Sequence, residues 1–215
     1  MQNNNQTPGR LIAFEGIDGS GKSTQSARLI QRLKQSGIPC YATREPTDSP
    51  IGSLIHQIMT GRMEGDPRTI AALFAADRLD HLLNSVNGIA RKVESGVTVV
   101  SDRYYFSSYA YHSVDVPMEW VIAANAQSAE ILKPDATVFI DLDPDAAMER
   151  IRKNRFDIEL FETRERLTRV REKYLEAFER LSDRETIILV DGAQDSDALE
   201  QDIWTQLEPF FRSAE

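Results

Sequence analysis

Five short runs of apolar and β-branched residues recur along the chain, and longer segments with a helical spacing of apolar residues lie between them. The runs occupy residues 11–15, 38–44, 97–102, 137–142 and 186–191. Strands that are buried on both faces of a sheet are continuous in this way, whereas half-solvated strands alternate apolar and polar residues. The pattern therefore predicts an α/β fold, with a parallel sheet covered by helices on both faces.

Helical segments are predicted at 23–34, 51–60, 67–94, 117–132, 144–153, 162–181 and 197–211. Several begin at a proline, which suits the first turn of a helix, and Asp66 is placed to cap the segment that begins at Pro67. No repeat, heptad array or linker rich in Gly, Ser or Pro divides the chain. We therefore expect a disordered polar tail at 1–9 and one domain over 10–215.

Composition narrows the possible partners. The 215 residues include 25 Lys and Arg against 34 Asp and Glu, a net charge of −9, which argues against a nucleic-acid or anionic-membrane partner. The start has neither the basic segment nor the apolar core of a signal peptide, and no apolar run is long enough to span a bilayer. The single cysteine, Cys40, lies in an apolar run and is expected to be a buried thiol rather than a nucleophile. We therefore expect a cytoplasmic protein.

The stretch GIDGSGKS, at 16–23, has the spacing G-x-x-x-x-G-K-[ST] between a predicted strand and a predicted helix. In that context the glycines let backbone N–H groups turn towards a phosphate, and the helix N-terminus adds the positive end of its dipole. Lys22 would reach the β- and γ-phosphates, and Ser23 would offer its hydroxyl to Mg²⁺. The stretch predicts a nucleoside triphosphate site, with a chance glycine-rich turn as the alternative. The residues expected to bind the nucleoside triphosphate are Gly16, Ile17, Asp18, Gly19, Ser20, Gly21, Lys22, Ser23 and Thr24.

Charged residues close several of the predicted strands, and the carboxyl ends of parallel strands line the ligand crevice of an open α/β sheet. Asp102 ends the strand expected beside the phosphate loop and could hold Mg²⁺ through water. Arg103 would then face an anionic acceptor, with a structural salt bridge as the alternative. Arg44 ends the second strand in a similar way, and Pro46 favours an extended conformation for Glu45.

Phe74 and Arg78 lie four residues apart in a predicted helix and therefore share a face. An aromatic ring beside a fork of donors suits a planar base, because the ring can stack while the fork bonds a carbonyl. The alternative, favoured for such a pair in isolation, is a core phenylalanine beside a solvated arginine. Asp77 and Asp80 flank the pair and could neutralise Arg78.

The segment 148–171 contains eight basic residues interrupted by five acidic ones. A solvated, ion-paired helix surface explains most of these charges. Arg150, Arg152 and Arg155 differ because they lead into the break FDIELFE between two predicted helices. A lid over residues 148–162 could close there over a transferring phosphoryl group.

Together these motifs resemble those of thymidylate kinases, which are P-loop enzymes that phosphorylate dTMP. The motifs are FEGIDGSGKST (14–24), TREP (43–46), LFAADR (73–78), DRYYFSSYAY (102–111), KPDATVFIDLDP (133–144) and the arginine-rich segment. The resemblance implies a three-layer α/β/α P-loop kinase fold with a five-stranded parallel sheet and a helical lid. It also implies ATP-dependent transfer to dTMP, a requirement for Mg²⁺ and a homodimer.

The same resemblance assigns roles around the acceptor nucleotide. Phe74 would stack on thymine, and Arg78 would bond its O4. Arg44 and Arg103 would hold the acceptor phosphate, and Asp18 would lie near the 3′-hydroxyl.

Three residues of the DRYYFSSYAY motif complete the implied acceptor site. Ser107 and Ser108 would approach the base. Tyr111 would pack on the sugar where a ribose 2′-hydroxyl would protrude, and so favour deoxyribose.

A phosphate monoester has a second pKa near 6 and is largely a dianion at neutral pH, so the acceptor needs no strong general base. Catalysis would come from in-line positioning and from Lys22, Mg²⁺ and arginines that meet the charge on the γ-phosphoryl group. Some thymidylate kinases have an arginine in the phosphate loop, but in this chain the residue after Asp18 is Gly19, which has no side chain to meet this charge. We therefore expect Arg152 and Arg155 to meet it, and we rank Arg150 third because it could pair back along its own helix. The residues expected to act in catalysis are Lys22, Asp102, Arg103, Arg152 and Arg155.

Two other functions share these features. One is a kinase for another nucleotide or for a deoxynucleoside, which would use the same loop and lid. The other is a P-loop regulatory ATPase that acts through a protein partner. The former differs in its acceptor, and the latter needs no small acceptor at all.

Overall fold

The computed structural model describes residues 8–154 and 163–212. The strands are β1 (Leu11–Glu15), β2 (Cys40–Arg44), β3 (Thr98–Asp102), β4 (Ala136–Asp141) and β5 (Ile187–Asp191). They form one five-stranded sheet in the order β2-β3-β1-β4-β5, and every neighbouring pair is parallel. Each predicted apolar run contains a strand, and the predicted α/β fold class is confirmed.

Helices cover both faces of this sheet. They are α1 (Lys22–Gln35), α2 (Pro50–Met59), α3 (Pro67–Leu83), α4 (Ile89–Glu94), α5 (Tyr105–His112), α6 (Met118–Ala124), α7 (Ala126–Ile131), α8 (Pro144–Asn154), α9 (Arg164–Leu181) and α10 (Ser196–Leu207). Side chains of β1 alternate between two apolar cores: Leu11 and Ala13 face α5 and α9, whereas Ile12 and Phe14 face α1 and α10. The central strand is therefore buried on both faces, as its continuous apolar run predicts.

The helix predicted over 67–94 is in fact two helices. The cap predicted at Asp66 is confirmed, because its carboxylate accepts a hydrogen bond from the Arg68 N–H at 2.9 Å. The helix stops at Asn84, whose side-chain oxygen accepts from the Val86 N–H at 3.0 Å. Such an Asx turn competes with the helix for backbone donors and ends α3 before α4 begins. The segment predicted at 117–132 is likewise divided, into α6 and α7.

Helix α5 was not predicted from the sequence. Its N-cap residue, Tyr104, contributes no side-chain cap among the described residues. The carboxylate of Glu15 takes that place, because its Oε1 accepts from the backbone N–H groups of Tyr104 at 2.8 Å and Ser107 at 3.1 Å. The cap comes from β1, so no local sequence signal marks where this helix begins.

Two predicted segments lie partly outside the described residues. Of the tail at 1–9, residues 1–7 lie outside, and Gly9 donates to the Val93 carbonyl at 2.8 Å. Helix α8 includes residues 148–154 of the predicted lid, whereas 155–162, with Arg155, lie outside. Within the two described ranges, no helix combines the length and apolarity that crossing a membrane requires.

Candidate active site

At two glycines, the loop between β1 and α1 lies so close to the backbone of neighbouring segments that a side chain would not fit. A Cβ atom at Gly19, where φ is +80°, would lie 2.6 Å from the carbonyl oxygen of Ala147 in α8. A Cβ atom at Gly16 would lie 2.7 Å from the carbonyl oxygen of Ile140. The left-handed conformation and this contact explain why Gly19 has no side chain, because α8 fills the space that an arginine there would need.

Lys22 is buried at the first residue of α1, directly after the glycine-rich loop. Its Nζ donates to the Ile17 carbonyl at 2.8 Å, so the amino group is folded back over the loop. Burial, together with the neighbouring charge of Arg103, lowers the pKa of Lys22 to about 8. An anionic ligand over the loop would favour the charged form of this lysine.

A cavity of about 500 Å³ opens above this loop. Residues 18–24 line it, so seven of the nine residues predicted to bind ATP lie around one space. Gly16 and Ile17 are not part of the lining formed by the described residues, but the Ile17 carbonyl accepts the hydrogen bond from Lys22. Asp102, Arg103 and Arg150 also line the cavity. Residues of the phosphate loop and of the end of β3 therefore line one common space.

Asp102 and Ser23 have the donor set that Mg²⁺ takes in phosphate-binding sites. The Ser23 hydroxyl donates to Asp102 Oδ2 at 2.5 Å. Asp102 Oδ1 is buried and has no hydrogen-bond partner among the described residues. Mg²⁺ is usually held by one or two protein oxygens, water and substrate phosphates rather than by a full protein cage. The described ranges contain no cluster of three or more potential metal ligands of the His, Cys, Asp and Glu types. The residues fit a magnesium ion bound together with a nucleotide.

Arg103 follows β3 in a strained left-handed conformation with φ +72°. Its backbone N–H donates to the Phe14 carbonyl at 2.9 Å, which holds the strained residue against β1. The guanidinium pairs with Asp18 and donates to the hydroxyl oxygens of Ser107 at 3.0 Å and Tyr111 at 3.2 Å. The predicted residues Asp18, Arg103, Ser107 and Tyr111 therefore form one hydrogen-bonded group.

This group forms one wall of a second cavity, of about 180 Å³, that also contains Phe74. Five of the eight predicted acceptor residues line it, namely Asp18, Phe74, Arg103, Ser107 and Tyr111. The cavity combines an aromatic ring, an arginine and a carboxylate, a combination that suits a nucleotide with one phosphate.

Five other residues line the same cavity. Pro46 belongs to the TREP motif, and sequence reasoning missed the other four, which are His56, Met59, His112 and Arg166. They come from α2, α5 and α9, and no local pattern marks them. The ring of His112 lies 4.8 Å from that of Phe74 at an interplanar angle of 58°. Burial, with the positive charges of Arg78 and Arg166, lowers the pKa of His112 to about 3, so the imidazole is neutral near pH 7.

The described lining of this second cavity does not include Arg44, Arg78 or Ser108. Arg44 is exposed and pairs with Asp48 at 3.0 Å. It lines a neighbouring groove of about 640 Å³, which shares Asp102 with the cavity over the phosphate loop. Arg44 therefore lies outside the described lining of the cavity that contains Phe74, and its predicted contact with the acceptor phosphate stays a prediction.

Arg78 is 1 % exposed, so the alternative of a solvated arginine is wrong. Its guanidinium pairs with the Glu45 carboxylate at 2.7 Å. The carboxylate that neutralises Arg78 in the described residues is therefore Glu45, rather than Asp77 or Asp80. The remaining acceptors are the Ser108 hydroxyl, the Asn125 side-chain oxygen and the Tyr104 carbonyl. These bonds occupy the five N–H groups of the guanidinium. A contact between Arg78 and a base stays a prediction, and it would require some of these bonds to exchange.

The arginines of α8 are arranged differently from the predicted ranking. Arg150 donates to the Gly192 carbonyl at 2.9 Å and to the Ser20 carbonyl in the phosphate loop at 3.4 Å. The reason given for ranking it third was wrong, because it pairs across two loops rather than along its own helix. Of the two described arginines of this helix, Arg150 lines the cavity over the loop and the exposed Arg152 does not. The catalytic roles predicted for Arg152 and Arg155 stay predictions.

A phosphate loop after the first strand of a parallel α/β sheet, facing a strand-end aspartate, is characteristic of the P-loop class of nucleotide-binding proteins. Comparison with known proteins narrows this class. A model of the thymidylate kinase family matches residues 14–203. The chain belongs to the thymidylate kinase family.

Individual proteins that are similar to this chain carry names from the same family. A probable thymidylate kinase of Methanothermobacter thermautotrophicus is 38% identical over 205 residues, which cover 93% of this chain and 95% of the relative. A probable thymidylate kinase of Thermococcus kodakarensis is 38% identical over 178 residues, covering 79% and 84%. A putative thymidylate kinase of Aeropyrum pernix is 43% identical over 171 residues, covering 78% and 77%. The predicted resemblance is confirmed.

Proposed function

We propose that this kinase transfers the γ-phosphoryl group of ATP to the phosphate of dTMP, giving ADP and dTDP. The observation that carries the proposal is that the cavity over the phosphate loop and the cavity at Phe74 share Asp18 and Arg103. A donor in the first and an acceptor in the second would therefore meet at one arginine. The names of the relatives support thymidylate as the acceptor.

On the donor side, the loop amides and Lys22 would bind the phosphates of ATP and fix the γ-phosphoryl group for in-line transfer. Ser23 and Asp102 would hold Mg²⁺, which when bound offsets charge on the phosphate oxygens. Arg150 lines the same space, and Arg152 and Arg155 are proposed to bring further positive charge from the lid.

On the acceptor side, Arg103 would bind the dTMP phosphate and keep it facing the donor. Asp18 would accept from the 3′-hydroxyl, and Phe74 would stack on the base. Tyr111 donates to Asp18 at 2.9 Å, and this contact supports the proposal that its ring would pack against the sugar. Crowding at that point would favour deoxyribose over ribose.

Arg44, Arg78, Ser107 and Ser108 complete the proposed acceptor site. Ser107 already lines the cavity. The other three would have to exchange the partners that they have in this structure, so their contacts with dTMP depend on rearrangement when the nucleotide binds. We further propose a cytoplasmic homodimer with no nucleic-acid or membrane partner, and light scattering in solution tests the oligomeric state.

The test is ADP release by the purified enzyme with ATP and Mg²⁺, measured with dTMP, dUMP, dCMP, dGMP or thymidine and with no acceptor. We expect the highest kcat/KM with dTMP and little ADP release without an acceptor. A clear preference for another acceptor would replace the proposed substrate. Slow ADP release that no acceptor stimulates would instead indicate the regulatory ATPase.

A further inference from the structure

Glu15 is a fully buried carboxylate with no part in the reaction described so far. It is the last residue of β1, directly before the phosphate loop. Its Oε1 caps α5 by accepting from the N–H groups of Tyr104 and Ser107. Its Oε2 accepts from the Ser107 hydroxyl at 2.5 Å and from the Tyr174 hydroxyl at 2.8 Å. A buried carboxylate is stable only when it is hydrogen-bonded in this way, so four donors are committed to it.

These bonds lead directly to Arg103. The guanidinium donates to the Ser107 oxygen at 3.0 Å, and the single proton of that hydroxyl is then directed to Glu15. The backbone N–H of the next residue, Tyr104, is fixed by the same carboxylate, and this holds the left-handed turn at Arg103 in place. Glu15 therefore fixes both the backbone and the side chain of the arginine at which the two cavities meet.

The second oxygen of Glu15 also reaches α9. Tyr174 lies on that helix, and its hydroxyl is 2.9 Å from the Ser107 oxygen as well as bonded to Glu15. Burial raises the pKa of Tyr174, so it stays a neutral donor near pH 7. The phosphate loop, α5 and α9 thus converge on one carboxylate.

We propose that Glu15 is a positioning residue: through Ser107 it holds Arg103 towards the acceptor phosphate, and through Tyr174 it ties that position to α9. The inference rests on the proposed function, because it assigns Arg103 to the acceptor. A simple helix cap would explain the two backbone bonds, but it would not require the two hydroxyl bonds or the link to the guanidinium.

The test compares Glu15→Gln with the matched variant Glu185→Gln. Glu185 is a partly buried carboxylate that also accepts from a tyrosine of α5, because the Tyr105 hydroxyl donates to it at 2.8 Å, but this contact does not involve Arg103. Glutamine keeps the size of Glu15 and can still cap α5 through its oxygen. Its amide would face the hydroxyls of Ser107 and Tyr174 as a donor, so the path to Arg103 is disturbed.

We expect Glu15→Gln to lower kcat/KM for dTMP by about tenfold or more, the range for losing a hydrogen bond to a charged group. Its Kd for ATP, measured by titration, should stay within about twofold of wild type, as should every parameter of Glu185→Gln. Unchanged dTMP kinetics in Glu15→Gln would overturn the proposal. A loss of ATP affinity as large as the loss of kcat/KM would also overturn it, because Glu15 would then only support the fold.

Tyr174→Phe tests the link to α9 and remains informative if Glu15→Gln does not fold. We expect kcat of Tyr174→Phe to fall by about threefold or more, with ATP affinity unchanged. In the double variant that combines Glu15→Gln with Tyr174→Phe, we expect the fold-loss of kcat to be smaller than the product of the fold-losses of the two single variants. An unchanged kcat, or losses that multiply, would overturn the tie to α9. The wild-type enzyme is measured first: no dTMP-dependent ADP release would contradict the proposed substrate, which is a separate result from any change confined to the variants.

Discussion

Arg103 and Arg78 show how differently two arginines of recognisable motifs are used. The side chain of Arg103 is 17% exposed and lines both cavities, whereas that of Arg78 is 1% exposed and bonded on all sides by the protein. Nothing in the residues next to either arginine distinguishes them. Arg78 is paired with Glu45, which lies 33 positions earlier in the sequence. This partner could therefore be identified only from the folded structure.

The buried pair makes a prediction about stability. Arg78→Met should lower the free energy of unfolding by about 3–5 kcal/mol, because it leaves the buried Glu45 carboxylate without its cation. Urea unfolding followed by circular dichroism measures this loss. Combining Arg78→Met with Glu45→Gln should recover part of it, since the unpaired charge is removed as well. The exposed Arg68 on the same helix is the control, and Arg68→Met should hardly change stability. A negligible loss for Arg78→Met would contradict the role of the pair in the fold.

His112 makes a prediction about pH. Its pKa is lowered from 6.5 to about 3 in the folded chain, so between these values the unfolded chain binds a proton that the folded chain does not. Stability should therefore fall as the pH drops below 6.5, by up to about 1.4 kcal/mol per pH unit from this group. His112→Phe lacks the group and should lose less stability than wild type between pH 7 and pH 5, as denaturant midpoints would show. Equal losses in the two proteins would mean that His112 titrates normally.

At the scale of elements, strands and most helices could be predicted because their signals are local. The continuous apolar run of β1 and the spacing that follows the phosphate loop in α1 need no distant partner. Helix α5 has no such signal, since its cap is the carboxylate of Glu15. The same limit applies to the site: motifs led to Phe74 and Tyr111, whereas His56 and Arg166 enter the second cavity only because helices pack together.

The predicted lid, of which α8 includes only residues 148–154, carries the next prediction. If Arg152 and Arg155 act in catalysis, Arg152→Ala or Arg155→Ala should lower kcat by about tenfold or more, while ATP affinity stays within about twofold of wild type. The reason is that an arginine that stabilises charge in the transition state acts on the chemical step rather than on ATP binding. Steady-state kinetics and ATP titration measure the two quantities. The exposed neighbour Lys153 is the control, and Lys153→Ala should behave as wild type.

Arg150 should behave differently from the other two arginines. Because it contacts the phosphate loop and lines the donor cavity, Arg150→Ala should weaken ATP binding as well as lower kcat. If a variant lacking all three arginines of the predicted lid kept most of its kcat, the charges would be solvated surface groups.

At the scale of the whole molecule, the sheet order explains how donor and acceptor meet. Strand β3 pairs with β1, so Asp102 and Arg103 at its end lie beside the phosphate loop that follows β1. Asp102 faces Ser23 on the donor side, and Arg103 faces Asp18 and the second cavity. Under the proposed function, Asp102 would therefore serve the donor nucleotide, and the adjacent Arg103, which lines both cavities, would contact the acceptor.

The most direct test of this account is the formation of dTDP from ATP and dTMP by the wild-type enzyme and by Lys22→Ala. Lys22 is the lysine of the phosphate loop, and we expect its loss to slow transfer by about 100-fold or more, the effect of removing a preorganised charge that acts on the transition state. Circular dichroism would confirm that the variant is folded. The account predicts that wild type makes ADP and dTDP in equal amounts and that folded Lys22→Ala makes almost none. Near-wild-type production of dTDP by the variant would contradict it.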